Sequence, residues 1–182
     1  WLIDPLDGTK EFINRNGDFS VNISFIHKQQ SIFGVVQRPV DLRIWTSLDE
    51  VSQLKAREII KPLRIVMSRS HKRKEDNMFL KLLQDCEIDY ELVEKGSSLK
   101  ICALCDDEAD IYPRFGPTSE WDIAAADAVL SSYGGSICSL DNFKKLEYSK
   151  KNILNPPFIA YSNELIKQSY GQKVEDCIKK LL

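Results

Sequence analysis

The chain begins WLIDPLDGTKEF, in which Asp4 and Asp7 stand three residues apart across Pro5, followed at once by Gly8, Thr9 and Lys10. Pro5 and Gly8 argue against a regular helix and for a turn directly behind an apolar strand end, Trp1–Ile3. A turn lets both carboxylates and the intervening carbonyl of Leu6 converge on one point. Hard divalent cations such as Mg2+ bind oxygen-rich sites of this kind, with water and substrate phosphate completing the shell. The same residues also suit a plain turn in which Asp4 and Asp7 make local hydrogen bonds. By themselves they leave both readings open.

A second acidic element lies in SEWDIAAADAVL. Asp122 falls in the first turn of a predicted helix, Glu120–Ser132, whose N-terminus favours negative charge, whether the aspartate or a bound phosphate. Ala124, Ala125 and Ala126 would let this helix approach other backbone closely. Taken alone, Asp122 reads as a capping residue on a well-packed helix.

The elements that must position these groups can be read from periodicity. Phe19, Val21, Ile23 and Phe25 alternate with Ser20, Asn22 and Ser24, the period of a half-buried strand. Ser31–Gln37 and Leu42–Ser47 are further strands, so the first third favours antiparallel pairing. Strands are then expected at Arg64–Met67, Tyr90–Val93, Ala109–Tyr112 (stopped by Pro113) and Phe158–Tyr161. Helices are expected from Arg73, from a cap at Ser97 or Ser98 through Cys105, at Glu120–Ser132 ended by Gly134-Gly135, and after an Asn163 cap. This strand–helix alternation suggests a mixed or parallel sheet, and the whole an α+β assembly in layers.

Composition narrows the function classes. At 43% hydrophobic and 29% charged, 182 residues suit one globular domain or a large part of a bigger one. A formal charge of -2 supplies no basic field for nucleic acid. No apolar run approaches the roughly 20 residues of a membrane span. The five cysteines are odd in number and lack a disulfide framework, which favours a reducing, cytoplasmic compartment. Cys102 and Cys105 form a C-x-x-C inside an apolar helical pattern with no second pair, so buried small residues account for them better than zinc does.

The turn and the later helix start, in that order, resemble the inositol monophosphatase superfamily of metal-dependent phosphatases, with its D-P-[LI]-D-G-T and W-D-x-A-[AG] signatures. Lys10-Glu11-Phe12, GDFSVNISFI, VMSRSH, GSSLKIC, YPRFGPTSEWD and NPPF point to its 3'(2'),5'-bisphosphate nucleotidase branch, and the similarity runs from Trp1 to about Phe158. The resemblance implies a layered α/β sandwich of the inositol monophosphatase and fructose-1,6-bisphosphatase type. Residues 1–182 would form a single phosphatase domain, with 1–60 the end of a first antiparallel sheet region and 61–182 a second α/β region. It implies two or more Mg2+ ions held by Asp4, the Leu6 carbonyl, Asp7 and Asp122, with Thr9 orienting the attacking water. Gly8, Thr9, His71, Ser97, Lys100, Arg114 and Asp122 would contact a small nucleotide bisphosphate, and 3'-phosphoadenosine 5'-phosphate would give AMP and phosphate.

Each of the later positions also has a plainer reading. His71 could begin a helix at the end of a solvated basic run, Arg69–Lys74. Lys100 could be the polar side of its helix, and Arg114 a surface loop residue. His27 reads as structural. Ala126 stands where many relatives have glycine, a small change. The family also draws a metal-binding glutamate and covering helices from upstream of WLIDP, so the chain is expected to be a fragment, inactive or nearly so alone, with apolar strand faces exposed. Two other functions compete: an inositol or broader sugar-phosphate phosphatase, and a non-catalytic module holding nucleic acid through Arg69–Lys74. Oligomeric state has no signal. The resemblance sometimes implies placement at the inner face of a bacterial membrane, and no anchor motif accompanies it here.

Overall fold

The computed structural model describes residues 1–48, 62–69 and 73–181. In chain order the elements are β1 (Leu2–Asp7), α1 (Thr9–Ile13), β2 (Ser20–His27), β3 (Gln30–Arg38), β4 (Arg43–Thr46), β5 (Leu63–Ser68), α2 (Lys74–Asp85) and β6 (Tyr90–Lys95). There follow α3 (Leu99–Cys105), β7 (Ile111–Arg114), β8 (Thr118–Ser119), α4 (Glu120–Ser132), β9 (Ser136–Ser139), β10 (Leu154–Asn155), β11 (Phe158–Tyr161) and α5 (Glu164–Lys179). No helix among the described residues is long and apolar enough to cross a membrane.

Strands β1 to β4 form an antiparallel sheet in sequence order. The second sheet runs β6-β5-β7-β11-β9 and is mixed, with β5 parallel to β6 and β7, and β11 antiparallel to β7 and β9. The strand expected to stop at Pro113 instead includes it. Parallel pairing of β5 with β7 is confined to Ile65 and Ile111, so Pro113 lies past that ladder and its missing N–H interrupts nothing there. Arg64 reinforces the short contact: its amide donates to Asp110 Oδ2 at 2.8 Å and its Nη2 reaches Asp110 Oδ1 at 2.7 Å.

Alternation in the second sheet distributes apolar side chains to both faces, as a doubly covered sheet requires. Val66, Tyr112, Phe158 and Ala160 join a core with α3 and α4, while Ile65, Ile111, Ile159 and Tyr161 join a second core with α2 and α5. The layers therefore run first sheet, α3 with α4, second sheet, α2 with α5. Cys102 and Cys105 are buried small residues of α3. Asn163 caps α5, its Oδ1 accepting the Ile166 N–H at 2.9 Å.

Helix α4 lies between the first sheet and α3, and Ile123, Ala124, Ala125, Ala126, Val129 and Leu130 are all buried. Its alanines allow the approach their size suggests. Ser31 Oγ donates to the Ala124 carbonyl at 2.7 Å, and a Cβ added to Gly34 would stand 2.1 Å from the Ala125 carbonyl oxygen. Only a residue without a side chain fits there.

The burial of β2 inverts the simple expectation from its alternation. Ser20, Asn22 and Ser24 face α4 and are at most 1% exposed, whereas Val21, Ile23 and Phe25 lie half-buried on the other face. That outer face also carries Ile3 and Ile44, both exposed, with Trp1 against Phe25 and Phe33. The polar side is buried because it belongs to the site described next.

Gly34→Ala is expected to cost about 2–3 kcal/mol through overpacking of α4 against β3. Gly171→Ala in α5, where the new Cβ meets nothing closer than 3.6 Å, should be neutral or stabilising by about 0.5–1 kcal/mol. Denaturant unfolding of the two variants checks both, and a small effect at Gly34 would contradict the close approach.

Candidate metal and phosphate site

Asp4 and Asp7 are an odd number of residues apart, so a regular strand would place them on opposite faces. The expected turn is instead a strand interrupted by a bulge. Leu2, Asp4 and Asp7 pair with Ser24, Asn22 and Ser20, so three residues of β1 advance against two of β2 between Asp4 and Asp7. Pro5, which has no N–H to offer the ladder, falls in the irregular part. Because directly opposed residues share a face, the extra residue returns Asp7 to the side of Asp4, toward α4. The Leu6 amide donates to Asp4 Oδ1 at 3.0 Å and fixes that carboxylate. Gly8 then turns the chain into α1 at φ 88°, a left-handed conformation suited to glycine.

Asp122 arrives from the other side. Its Oδ2 accepts the Ser119 N–H at 2.7 Å, so the capping role suggested by sequence is real. The start of α4 is pinned by several contacts at once. β8 pairs with β10, Asn155 Nδ2 donates to the Ser119 carbonyl at 2.9 Å, and buried Glu120 accepts from the Ser149 and Lys150 amides and from Lys150 Nζ. Capping does not exclude ligation. One carboxylate oxygen each from Asp4, Asp7 and Asp122 lies within 4.8 Å of the others.

Three carboxylates this close repel one another. Burial, with the charges of Asp122 and Asp4 adding to it, pushes Asp7 up to about 6 against the pull of Lys100. Burial and Asp4 likewise raise Asp122. All the donors are hard oxygens, and a divalent cation would relieve both the repulsion and the desolvation. The residues present thus fit a hard divalent cation.

Asp7 is held by partners that sequence reasoning did not single out. Its Oδ2 accepts the Ser98 amide at 2.6 Å and Asn22 Nδ2 at 3.4 Å. Ser98 Oγ donates to Asn22 Oδ1 at 2.8 Å and meets Ser20 Oγ at 2.7 Å. Neither serine expected at the start of α3 caps it through a strong side-chain bond; the Ser97 contact to the Leu99 amide is 3.5 Å. Ser98 spends its hydroxyl on the β2 network. The sequence signals were the polar positions Ser20, Asn22 and Ser24 of a half-buried strand and the motifs GDFSVNISFI and GSSLKIC, none of which assigns Asn22 or Ser98 to Asp7.

Asp7, Gly8, Thr9, Ser97, Lys100, Arg114 and Asp122 line one cavity of about 190 Å³. Lys100, read alternatively as the polar side of its helix, is buried; its Nζ donates to the Ser97 carbonyl at 2.6 Å and lies 5.7 Å from the Tyr112 ring centroid. Burial first, and Arg114 after it, bring Lys100 down to about 8, against the pull of Asp7. Arg114 is half-buried rather than a free surface residue, and its Nε is a buried donor without a partner among the described residues. Asp4 joins through the carboxylate cluster, and Leu6 lies in the bulge beside it. His71 lies outside the described residues.

A bulged pair of aspartates thus faces a helix-borne third beside a small cavity lined by both acidic and basic side chains. The chain belongs to the inositol monophosphatase family, whose profile matches residues 1–179. It is 40% identical over 168 residues to the 3'(2'),5'-bisphosphate nucleotidase CysQ of Salmonella typhimurium, covering 87% of this chain and 66% of that protein. The CysQ of Haemophilus influenzae is 31% identical over 177 residues, covering 90% of this chain and 64% of the relative. The chain therefore spans just under two thirds of the length of these relatives. Among solved structures, CysQ from Bacteroides thetaiotaomicron aligns at a TM-score of 0.80 and 32% identity, covering 87% of this chain and 68% of that one. An inositol monophosphatase from Zymomonas mobilis shares the layered fold at a TM-score of 0.74 and 18% identity, covering 98% and 70%.

Asn22→Ala should weaken divalent-cation binding by about tenfold, the scale of losses when a ligand's hydrogen-bond support is removed. Titration calorimetry with Mg2+ or Mn2+ measures this directly. Unchanged affinity would mean that Asp7 is held without Asn22.

Proposed function

We propose that the protein to which these 182 residues belong is a Mg2+-dependent 3'(2'),5'-bisphosphate nucleotidase, hydrolysing 3'-phosphoadenosine 5'-phosphate to AMP and phosphate. One observation carries this reading: Asp7 and Asp122 of the carboxylate cluster line one cavity together with Lys100 and Arg114. The CysQ relatives support the choice of substrate.

When bound, divalent cations lower the pKa of water and neutralise charge on a transferring phosphoryl group. Asp4, Asp7, Asp122 and the Leu6 carbonyl would hold them. Thr9, the first residue of α1, would orient the attacking water, and the Gly8 and Thr9 amides would donate to phosphate oxygens. A cavity of about 190 Å³ is too small to enclose a whole nucleotide. The phosphate end of the substrate would enter it, with the nucleoside extending outward. Lys100 and Arg114 would hold the second phosphate, the orphaned Arg114 Nε being a donor suited to an anion. His71 and Ser97 would complete the contacts to the nucleotide.

The complete gene product should release phosphate from 3'-phosphoadenosine 5'-phosphate in strong preference to inositol 1-phosphate, and only with Mg2+ present. Asp4→Asn should lower the rate roughly a thousandfold, about 4 kcal/mol of transition-state stabilisation. Preference for the inositol ester would keep the metal centre and overturn the roles given to His71, Ser97, Lys100 and Arg114. Salt-sensitive binding of nucleic acid without hydrolysis would overturn the enzyme itself.

A further inference from the structure

Far from the carboxylates in sequence, the outer helical layer brings two thiols together. Cys86 is the C-terminal cap of α2 and Cys177 lies in the last turn of α5, and their sulfurs are 3.2 Å apart. The two helices are fixed in this arrangement by a shared core of Phe79 and Leu83 from α2 and Val174 and Ile178 from α5. Only a small side-chain movement separates the contact from the roughly 2.05 Å of a disulfide bond.

The two thiols are unequal. Cys86 is half-buried and reachable from solvent, whereas Cys177 is fully buried and also directs its Sγ to the Leu82 carbonyl at 3.7 Å. Burial, with Cys86 adding to it, pushes the Cys177 thiol up to about 12. A thiolate is the attacking species in disulfide exchange, so reaction begins at the accessible partner. The remaining cysteines, Cys102, Cys105 and Cys138, are buried elsewhere, and none of them takes part in this contact.

We propose that Cys86 and Cys177 form a reversible thiol–disulfide site that clamps α2 to α5, closed by exchange with a low-molecular-weight disulfide such as oxidised glutathione. The Cys86 thiolate attacks one glutathione sulfur, forming a mixed disulfide and releasing one glutathione thiol. Capping Cys86 also removes the neighbour that disfavours ionisation of Cys177. Cys177 then loses its proton to solvent and attacks the Cys86 sulfur, releasing the second glutathione. Two protein thiols are oxidised, one glutathione disulfide is reduced, and both steps reverse under excess thiol.

The closed bond would join positions 91 residues apart, so it would restrict the unfolded chain strongly. A rise in thermal midpoint on the order of 10 °C is expected. The site needs neither the carboxylates nor the nucleotidase activity, and its test is independent of them.

The experiment treats the folded chain with oxidised glutathione, then combines intact mass, free-thiol count and peptide mapping with a thermal melt. Loss of two hydrogens, a single Cys86–Cys177 cross-linked peptide, and a raised midpoint reversed by dithiothreitol would support the site. Cys177→Ser should stop at a stable glutathione adduct on Cys86, and Cys86→Ser should form no internal bond. Both variants remain informative by mass even if their stability differs. A persistent Cys86 adduct in the parent chain, a cross-link between other cysteines, or five free thiols after treatment would overturn it.

Discussion

The bulge between Asp4 and Asp7 is the constraint on which the rest of the site depends. A strand alternates faces with a period of two, and two carboxylates three apart can share a face only if the ladder slips by one residue. Pro5 makes the slip inexpensive because it has no donor to lose. Once both carboxylates face inward, β2 must present polar partners on that side, which explains why Ser20, Asn22 and Ser24 are buried. The helix that brings Asp122 must then come close to the same sheet, which explains the alanines of α4 and the absence of a side chain at Gly34.

This arrangement carries costs that a stability-driven core would avoid. A row of buried hydroxyls and an amide replaces an apolar sheet face, and it is tolerable because Ser20 and Asn22 are bridged by Ser98, Asn22 donates to Asp7 and Ser24 donates to the Leu2 carbonyl. The carboxylates remain poorly solvated and mutually repulsive, which is why Asp7 is pushed up to about 6. Polar groups held in unfavourable surroundings by a rigid scaffold are characteristic of sites built for a ligand rather than for stability. The apolar outer face of the same sheet, with Ile3, Ile23, Phe25 and Ile44 on it, is a second departure from a closed core.

Much of this was legible in the sequence, and the gaps have physical causes. Period-two and helical patterns located the long elements, and the Glu120–Ser132 helix was bounded by Asp122 in its first turn and the following glycines. The spacing of Asp4 and Asp7 left a cation site and a plain turn both open, and the family resemblance added Asp122; the three do converge. Alternation alone could not tell which face of β2 is buried, because polarity ordinarily marks the solvent side. Asn22 and Ser98 were therefore invisible as supports for Asp7. A proline inside β7 and the two-residue strands β8 and β10 depend on tertiary pairing that no local pattern encodes. The Cys86–Cys177 contact likewise joins helices remote in sequence.

Membership of the inositol monophosphatase family fixes the architecture, while the chemistry rests on what the carboxylates hold. Crystals of the complete gene product soaked with Mn2+ and AMP would reveal this by anomalous diffraction. A nucleotidase centre of the kind described requires anomalous density among Asp4, Asp7 and Asp122, with the nucleotide's phosphate turned toward Lys100 and Arg114. Manganese bound elsewhere, with the three carboxylates satisfied by protein donors alone, would contradict it.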